Sequence, residues 1–189
     1  ELPDKQAVRE LAATLDLPVH DKPDSQEICF VPDQDYRRLV AERAPETRRP
    51  GDIRDQTGRV LGRHDGVAGF TIGQRRGLGL AVGLPIYVTE LDPATNTVTV
   101  GPRDALQRGG LVAQQVNWLT DPPGGEVAAE IKIRHMHTPA AGRITTEADG
   151  AVTVRFEEPQ SAVTPGQAAV FYDDDGIVLG GGWIERALP

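Results

Sequence analysis

From Leu111 to Arg186 the chain repeats one pattern, a short run of alternating apolar and polar residues followed by a turn. The candidate strands are Leu111–Leu119, Val127–His135, Gly142–Thr146, Ala151–Phe156, Gln167–Tyr172 and Ile177–Arg186. Between them stand Pro122-Pro123-Gly124-Gly125, Asp149-Gly150, Pro165-Gly166 and Asp173 to Gly176. These residue types reverse a chain because glycine tolerates positive φ, proline presets its own φ, and aspartate bonds nearby amides. Short, evenly spaced strands leave many edges, and closure into a barrel of about six strands removes them. The expected architecture is therefore mainly β with a few helices (α+β), a small central domain followed by a C-terminal six-stranded β-barrel.

Upstream the periodicity differs. Val8, Leu11, Ala12 and Leu15 recur at helical spacing, with Pro3 and Asp4 suited to the first turn and Pro18 marking the end. This amphipathic stripe needs a surface to pack on, and the expectation is that it closes a domain whose body lies upstream. Leu17-Pro18-Val19 reads as a short strand. Asp33 to Ala44 reads as a second helix, with Asp33 as N-cap and Tyr36, Leu39, Val40 and Arg43 at helical spacing. From Gly51 the period becomes two. Asp52–Arg54 and Arg59–Gly62 form a hairpin around Thr57-Gly58, and Ile86–Leu91 and Thr97–Val100 form another around Asp92–Asn96. Between these hairpins, Gly66, Gly69, Gly73, Gly77, Gly79 and Gly83 are too dense for regular helix, and a closely packed, arginine-bearing loop is expected. A short helix is expected at Arg103–Arg108. The domain division is placed at 1–32, 33–104 and 105–189.

No apolar run approaches the roughly 18–20 residues of a membrane span, and no signal-peptide pattern opens the chain, so a cytoplasmic-type protein is expected. The net charge of −8 argues by itself against nucleic-acid binding, but it is unevenly spread. Residues 33–80 carry 10 basic against 7 acidic side chains, and every basic one is arginine, the residue suited to bidentate phosphate contacts. The single cysteine, Cys29, excludes an internal disulfide framework and a cysteine-rich zinc site. Its apolar neighbours Ile28 and Phe30 suit a small buried hydrophobe. The polar, turn-forming run before it suits a surface thiol, and Asp24 and Glu27 would disfavour a thiolate. Spacing alone leaves Cys29 undecided. His135 and His137, two apart, would share one face of a strand, and a solvated or RNA-facing pair is favoured over a metal site. The segment Thr71 to Gly79 lacks the Gly-Lys-Ser/Thr ending of a phosphate-binding loop; it contacts phosphate through Arg75 and Arg76, or it is a structural turn. Gly180-Gly181-Gly182-Trp183 is read as letting strands pack closely.

Taken together, several segments resemble one family. These are Lys22-Pro23-Asp24-Ser25-Gln26-Glu27-Ile28-Cys29-Phe30, Gly62-Arg63-His64-Asp65-Gly66, Thr71 to Gly79, Gly110 to Trp118 and Val163 to Tyr172. In this order they resemble the tRNA-specific 2-thiouridylases, the MnmA/TrmU family, and the resemblance runs over essentially the whole chain. It implies that residues 1–32 are the tail of an ATP-pyrophosphatase (PP-loop) catalytic domain, followed by the family's central domain and its tRNA-binding barrel. It further implies transfer of persulfide sulfur to C2 of an adenylated wobble uridine, with Cys29 as the persulfide-bearing cysteine.

The family's tRNA-contacting Arg-Tyr pair falls on Arg134 and His135, and a contacting glutamine falls on Gln167. The family commonly has Tyr and then Arg where this chain has His135 and Met136, so one permanent charge is lost and a weaker contact is expected. The nucleotide loop Ser-Gly-Gly-x-Asp-Ser and the second, resolving cysteine are absent from this sequence. ATP and magnesium are accordingly expected on sequence outside it, and the chain by itself should not thiolate tRNA. The implied partners are the anticodon region of tRNA and a sulfur donor such as a cysteine desulfurase or a sulfur-relay protein. The alternative is a non-catalytic RNA-binding β module in which Cys29 is structural.

Overall fold

The computed structural model describes residues 4–18, 20, 21, 36–44 and 49–189. Cys29, the motif from Lys22 to Phe30 around it, and the expected N-cap Asp33 lie outside the described residues. The chain forms two compact units, Glu1–Pro45 and Glu46–Pro189.

In the first unit, α1 spans Lys5–Thr14. Asp4 caps it, its carboxylate accepting from the Ala7 amide at 2.9 Å and satisfying one of the amides a helix start leaves open. The expected stripe is present, and Val8, Leu11 and Leu15 on it are exposed. Leu17 and Pro18 do not form the expected strand; Pro18 lies in a turn, because α1 unwinds through backbone bonds from Asp16 and Leu17 back to Ala13 and Ala12. Helix α2 spans Tyr36–Arg43, with Arg38 and Glu42 paired one turn apart at 3.8 Å.

The second unit opens with four strands, β1 (Gly51–Asp55), β2 (Val60–His64), β3 (Tyr87–Asp92) and β4 (Thr97–Gly101), in the order β2-β1-β4-β3. The β1–β2 turn is local chemistry. The Asp55 carboxylate accepts from the Thr57 hydroxyl and amide and from Arg59, which holds its pKa below the ordinary carboxylate value, and Gly58 supplies φ of +85°. Strand β1 also pairs with β4, in parallel, and this is the non-local contact that makes a sheet of two hairpins. Ile53, Val88, Val98 and Val100 are buried on one face of that sheet, with Leu78 of the glycine-rich loop inserted among them. His64 is spoken for structurally: its Nδ1 accepts from the Gly66 amide at 3.0 Å, so its Nε2 carries the proton that meets the Asn96 carbonyl at 3.2 Å.

A 3-10 turn at Arg103–Leu106 leads into six further strands. They are β5 (Gln107–Trp118), β6 (Glu126–Lys132), β7 (Ala140–Thr146), β8 (Val152–Ser161), β9 (Ala168–Tyr172) and β10 (Val178–Leu188). They close as β10-β5-β8-β7-β6-β9, every neighbouring pair antiparallel. The chain is mainly β, as the turn spacing implies, and ends in a six-stranded barrel. Leu111, Ile131, Ile144, Val152, Val154, Phe171 and Ile184 fill its interior, each side chain contributing about 1.5–3 kcal/mol on removal from water. The glycine triplet acts by steric necessity. A Cβ on Gly180, Gly181 or Gly182 would lie 2.7, 2.7 or 2.6 Å from the carbonyl oxygens of Asn117, Ala169 and Gln114, respectively.

Candidate nucleic-acid interface

Strand β6 carries Ile131 inward and Lys132 outward, and the same alternation invites its extension through His135. The chain turns instead after Ile133. The His137 amide bonds the Arg134 carbonyl at 3.0 Å, so His135 and His137 sit on a turn rather than on one face of a strand. This corrects the expected β6 boundary, and the physical reason is capture of the turn by the far end of β8. Arg134 Nη1 donates to the Ser161 carbonyl at 3.0 Å, and His137 Nε2 meets Gln160 Oε1 at 3.0 Å. The Gln160 amide nitrogen is committed to the Glu158 carbonyl at 2.7 Å, which turns Oε1 toward the imidazole and places the imidazole proton on Nε2. His137 Nδ1 is buried without a partner among the described residues. Burial, with Arg134 and Lys132 adding to it, holds the His137 pKa below its ordinary value against the opposing bond from Gln160, and favours the neutral ring. The brace leaves His135 and Met136 at the tip of the turn, with Met136 87% exposed.

Across from this turn lies β9. Lys132 pairs with Val170, Ile131 with Phe171 and Glu130 with Tyr172. Continued past the last paired residues, that register sets Arg134 against Ala168 and His135 against Gln167. Lys132, Arg134, His135, Gln167, Ala168, Val170 and Tyr172 do line one concavity of about 440 Å³. The three barrel residues named from the sequence, Arg134, His135 and Gln167, thus come together on the outer face. Gln167 is anchored through its backbone, its carbonyl accepting from the Ile184 amide at 2.8 Å. Two permanent cations, an imidazole, a carboxamide and a phenol on one shallow face can bind phosphate oxygens and read polar edges of an unpaired base. Glu130 is the next outward residue on β6 and makes no ion pair among the described residues.

Arg75 and Arg76 lie elsewhere, on the glycine-rich loop. Gln74 organises that loop: its Oε1 accepts from the Thr71 amide at 3.1 Å and its Nε2 donates to the Arg76 carbonyl at 2.9 Å. The backbone of Gly73 and Gln74 pairs with Val88 at 2.8 and 2.9 Å, and Gly73 and Gly77 adopt φ of +86° and +72°. Both arginines are exposed, and neither has a hydrogen bond or ion pair from its guanidinium among the described residues. The loop is therefore a built turn that also presents two unspent cations. It approaches the barrel site from one side, since a Cβ on Gly73 would lie 3.1 Å from Ala162, next to the Ser161 carbonyl that holds Arg134. Sequence reasoning missed Lys132 and Tyr172, whose only signal was alternation with buried neighbours. It read His137 as solvated or RNA-facing and missed its brace to Gln160, formed across 23 residues, which no local pattern reveals.

A closed barrel with a cationic outer face, preceded by a small sheet with an arginine-bearing loop, matches three family models in succession. They are a tRNA methyl transferase HUP domain over residues 2–33, a tRNA methyl transferase PRC-barrel domain over 38–102 and an aminomethyltransferase beta-barrel domain over 108–184. Among curated relatives, a tRNA-specific 2-thiouridylase MnmA of Geotalea uraniireducens is 52% identical over 184 residues, 97% of this chain and 49% of its own length. The MnmA proteins of Clostridium perfringens and Zymomonas mobilis are 46% and 50% identical over 185 and 186 residues, 97% and 98% of this chain and 51% and 48% of theirs. The chain belongs to the MnmA/TrmU family of tRNA-specific 2-thiouridylases and spans about half the length of the curated relatives it matches. No helix among the described residues is long and apolar enough to cross a membrane.

Proposed function

We propose that this chain is the part of a tRNA 2-thiouridylase that carries sulfur on Cys29 and holds the tRNA while C2 of its wobble uridine receives that sulfur. The observation that carries the reading is the convergence of Lys132, Arg134, His135 and Gln167 on one outer face of the barrel, in a chain related to thiouridylases over 97% of its length. Lys132 and Arg134 hold phosphates, Arg134 being aimed by its bond to Ser161; His135 and Gln167 meet base edges; Arg75 and Arg76 extend the phosphate track. Cys29 is the persulfide carrier. The terminal sulfur bonds to C2, the activated O2 leaves with its adenylyl group, and a second cysteine cleaves the S–S bond and is left in a disulfide with Cys29. That second cysteine must come from outside this chain, which has one.

ATP and magnesium belong to the same outside sequence. In the part of the chain matched by the HUP model, the start of α1 holds the Asp4 carboxylate, whose negative charge does not fit a polyphosphate there, and no step is assigned to these residues. A second reading, RNA binding without catalysis and with Cys29 structural, is separated by the thiol. Incubation with a cysteine desulfurase and free cysteine should add one sulfur atom to Cys29, and Cys29→Ser should abolish the gain; an inert wild-type thiol would favour the non-catalytic module. Supplied with tRNA, ATP, magnesium and a sulfur donor, the chain alone should form no 2-thiouridine. Its formation would refute the assignment of nucleotide chemistry to sequence elsewhere, and a methylated nucleoside would refute thiolation itself.

A further inference from the structure

One large aromatic on the barrel is used by nothing described so far. Trp183 on β10 is 55% exposed, between Gly182 and the buried Ile184, so alternation turns its indole outward. Its strand partner on β9 is Ala168, which lines the concavity with Arg134, His135 and Gln167, and the next residue, Ile184, bonds the Gln167 carbonyl at 2.8 Å. The indole makes no ring contact or hydrogen bond among the described residues. Its partner on β9, Ala168, carries only a methyl, so the side of the exposed indole toward the concavity is the one open to a planar ring.

We propose that Trp183 is a stacking platform for an unpaired nucleobase of the tRNA whose phosphates Lys132 and Arg134 hold. The inference rests on the tRNA-binding reading above and adds to it a residue that reads no sequence. Two neighbouring cations and a carboxamide on the same face favour a nucleic acid over an apolar protein segment, because an indole beside fixed positive charge matches a base joined to its phosphate. Stacking tolerates any base, since each presents a π face.

The test uses the chain with an unmodified tRNA transcript. Trp118, the other tryptophan, packs on Phe171 with ring centroids 5.8 Å apart, so Trp118→Phe leaves Trp183 as the sole indole reporter. Transcript should quench its fluorescence. Trp183→Ala should weaken binding about tenfold, the size of one base–aromatic stack, with the dependence of log K on log salt unchanged. Trp183→Phe should restore most of the affinity. Arg134→Gln should instead reduce the salt slope by about one, the signature of a lost phosphate contact. If Arg134→Gln weakens binding while Trp183→Ala binds as wild type and the indole signal is unmoved, the stacking platform is refuted and the tRNA reading stands. Absence of tRNA binding by the wild type refutes both. Self-association of the chain that Trp183→Ala abolishes, with no quenching by tRNA, also refutes the platform by giving the indole a protein partner.

Discussion

Replacing Gln160 by methionine removes the brace under the Arg134–His137 turn without touching the outer face that the turn presents. The Gln160 carboxamide makes two bonds, from His137 Nε2 at 3.0 Å and to the Glu158 carbonyl at 2.7 Å. The Glu158 carbonyl can take water in its place, so that loss is near zero. The imidazole is different: among the described residues its Nδ1 is already buried without a partner, and loss of Gln160 leaves its N–H in the same position. An unsatisfied donor costs about 1–3 kcal/mol, and the half-exposed ring places this one at the low end, about 1–2 kcal/mol. For a domain of this size each kcal/mol moves Tm by roughly 2–4 °C, so Gln160→Met should lower Tm by about 2–8 °C in a thermal melt. The Arg134–Ser161 bond remains, so the turn loosens rather than detaches, and under the proposed function tRNA affinity should fall severalfold with the salt slope unchanged. A variant with both wild-type Tm and wild-type affinity would show that the brace neither stabilises the barrel nor positions the turn.

Protonation of His137 should destabilise the same unit in acid. Its pKa is held below the ordinary value of 6.5, so as pH falls the unfolded chain takes up the proton first. The contribution is complete above about pH 6.5 and is lost as pH falls from there through the lower folded value; a melt series across that window should show a slope that His137→Gln removes. Gly182→Ala places a Cβ 2.6 Å from the Gln114 carbonyl and 2.8 Å from Val116 Cγ2, and should cost about 1–3 kcal/mol as a shift in denaturant midpoint. The paired change Arg75→Ala with Arg76→Ala leaves the Gln74 bonds in place, so stability should be unchanged while tRNA affinity and salt slope both fall; unchanged binding would make the loop purely structural.

The barrel was legible because its information is local. Each hairpin turn announces itself in Gly, Pro, Asn or Asp, and each strand alternates around a buried set such as Ile131, Val154 and Phe171. The boundaries that moved are those set by a distant partner. Strand β8 runs on through Glu158, Pro159 and Gln160 to Ser161, beyond the apolar run ending at Phe156, because Gln160 and Ser161 pair with Arg108 and Gln107. Strand β6 stops early although its alternation continues, because Arg134 and His137 are claimed by that same end of β8.

The residues of the site divide in the same way. Arg134, His135 and Gln167 were named from motif resemblance, and the motifs that name them are some thirty residues apart with nothing in either to place it beside the other. Pairing of β6 with β9 does so, through a barrel closure that no stretch of either strand encodes alone. The amino-acid sequence by itself determined the barrel's strand count, the turn chemistry and the family, since these depend on residue types at short range. Only the tertiary structure decided that Lys132 and Tyr172 share the face of Arg134, that Gln160 fixes the His137 proton on Nε2, and that Trp183 stands beside them unused. Those facts depend on register between strands distant in the chain, where a slip of one residue would turn every one of these side chains to the opposite face.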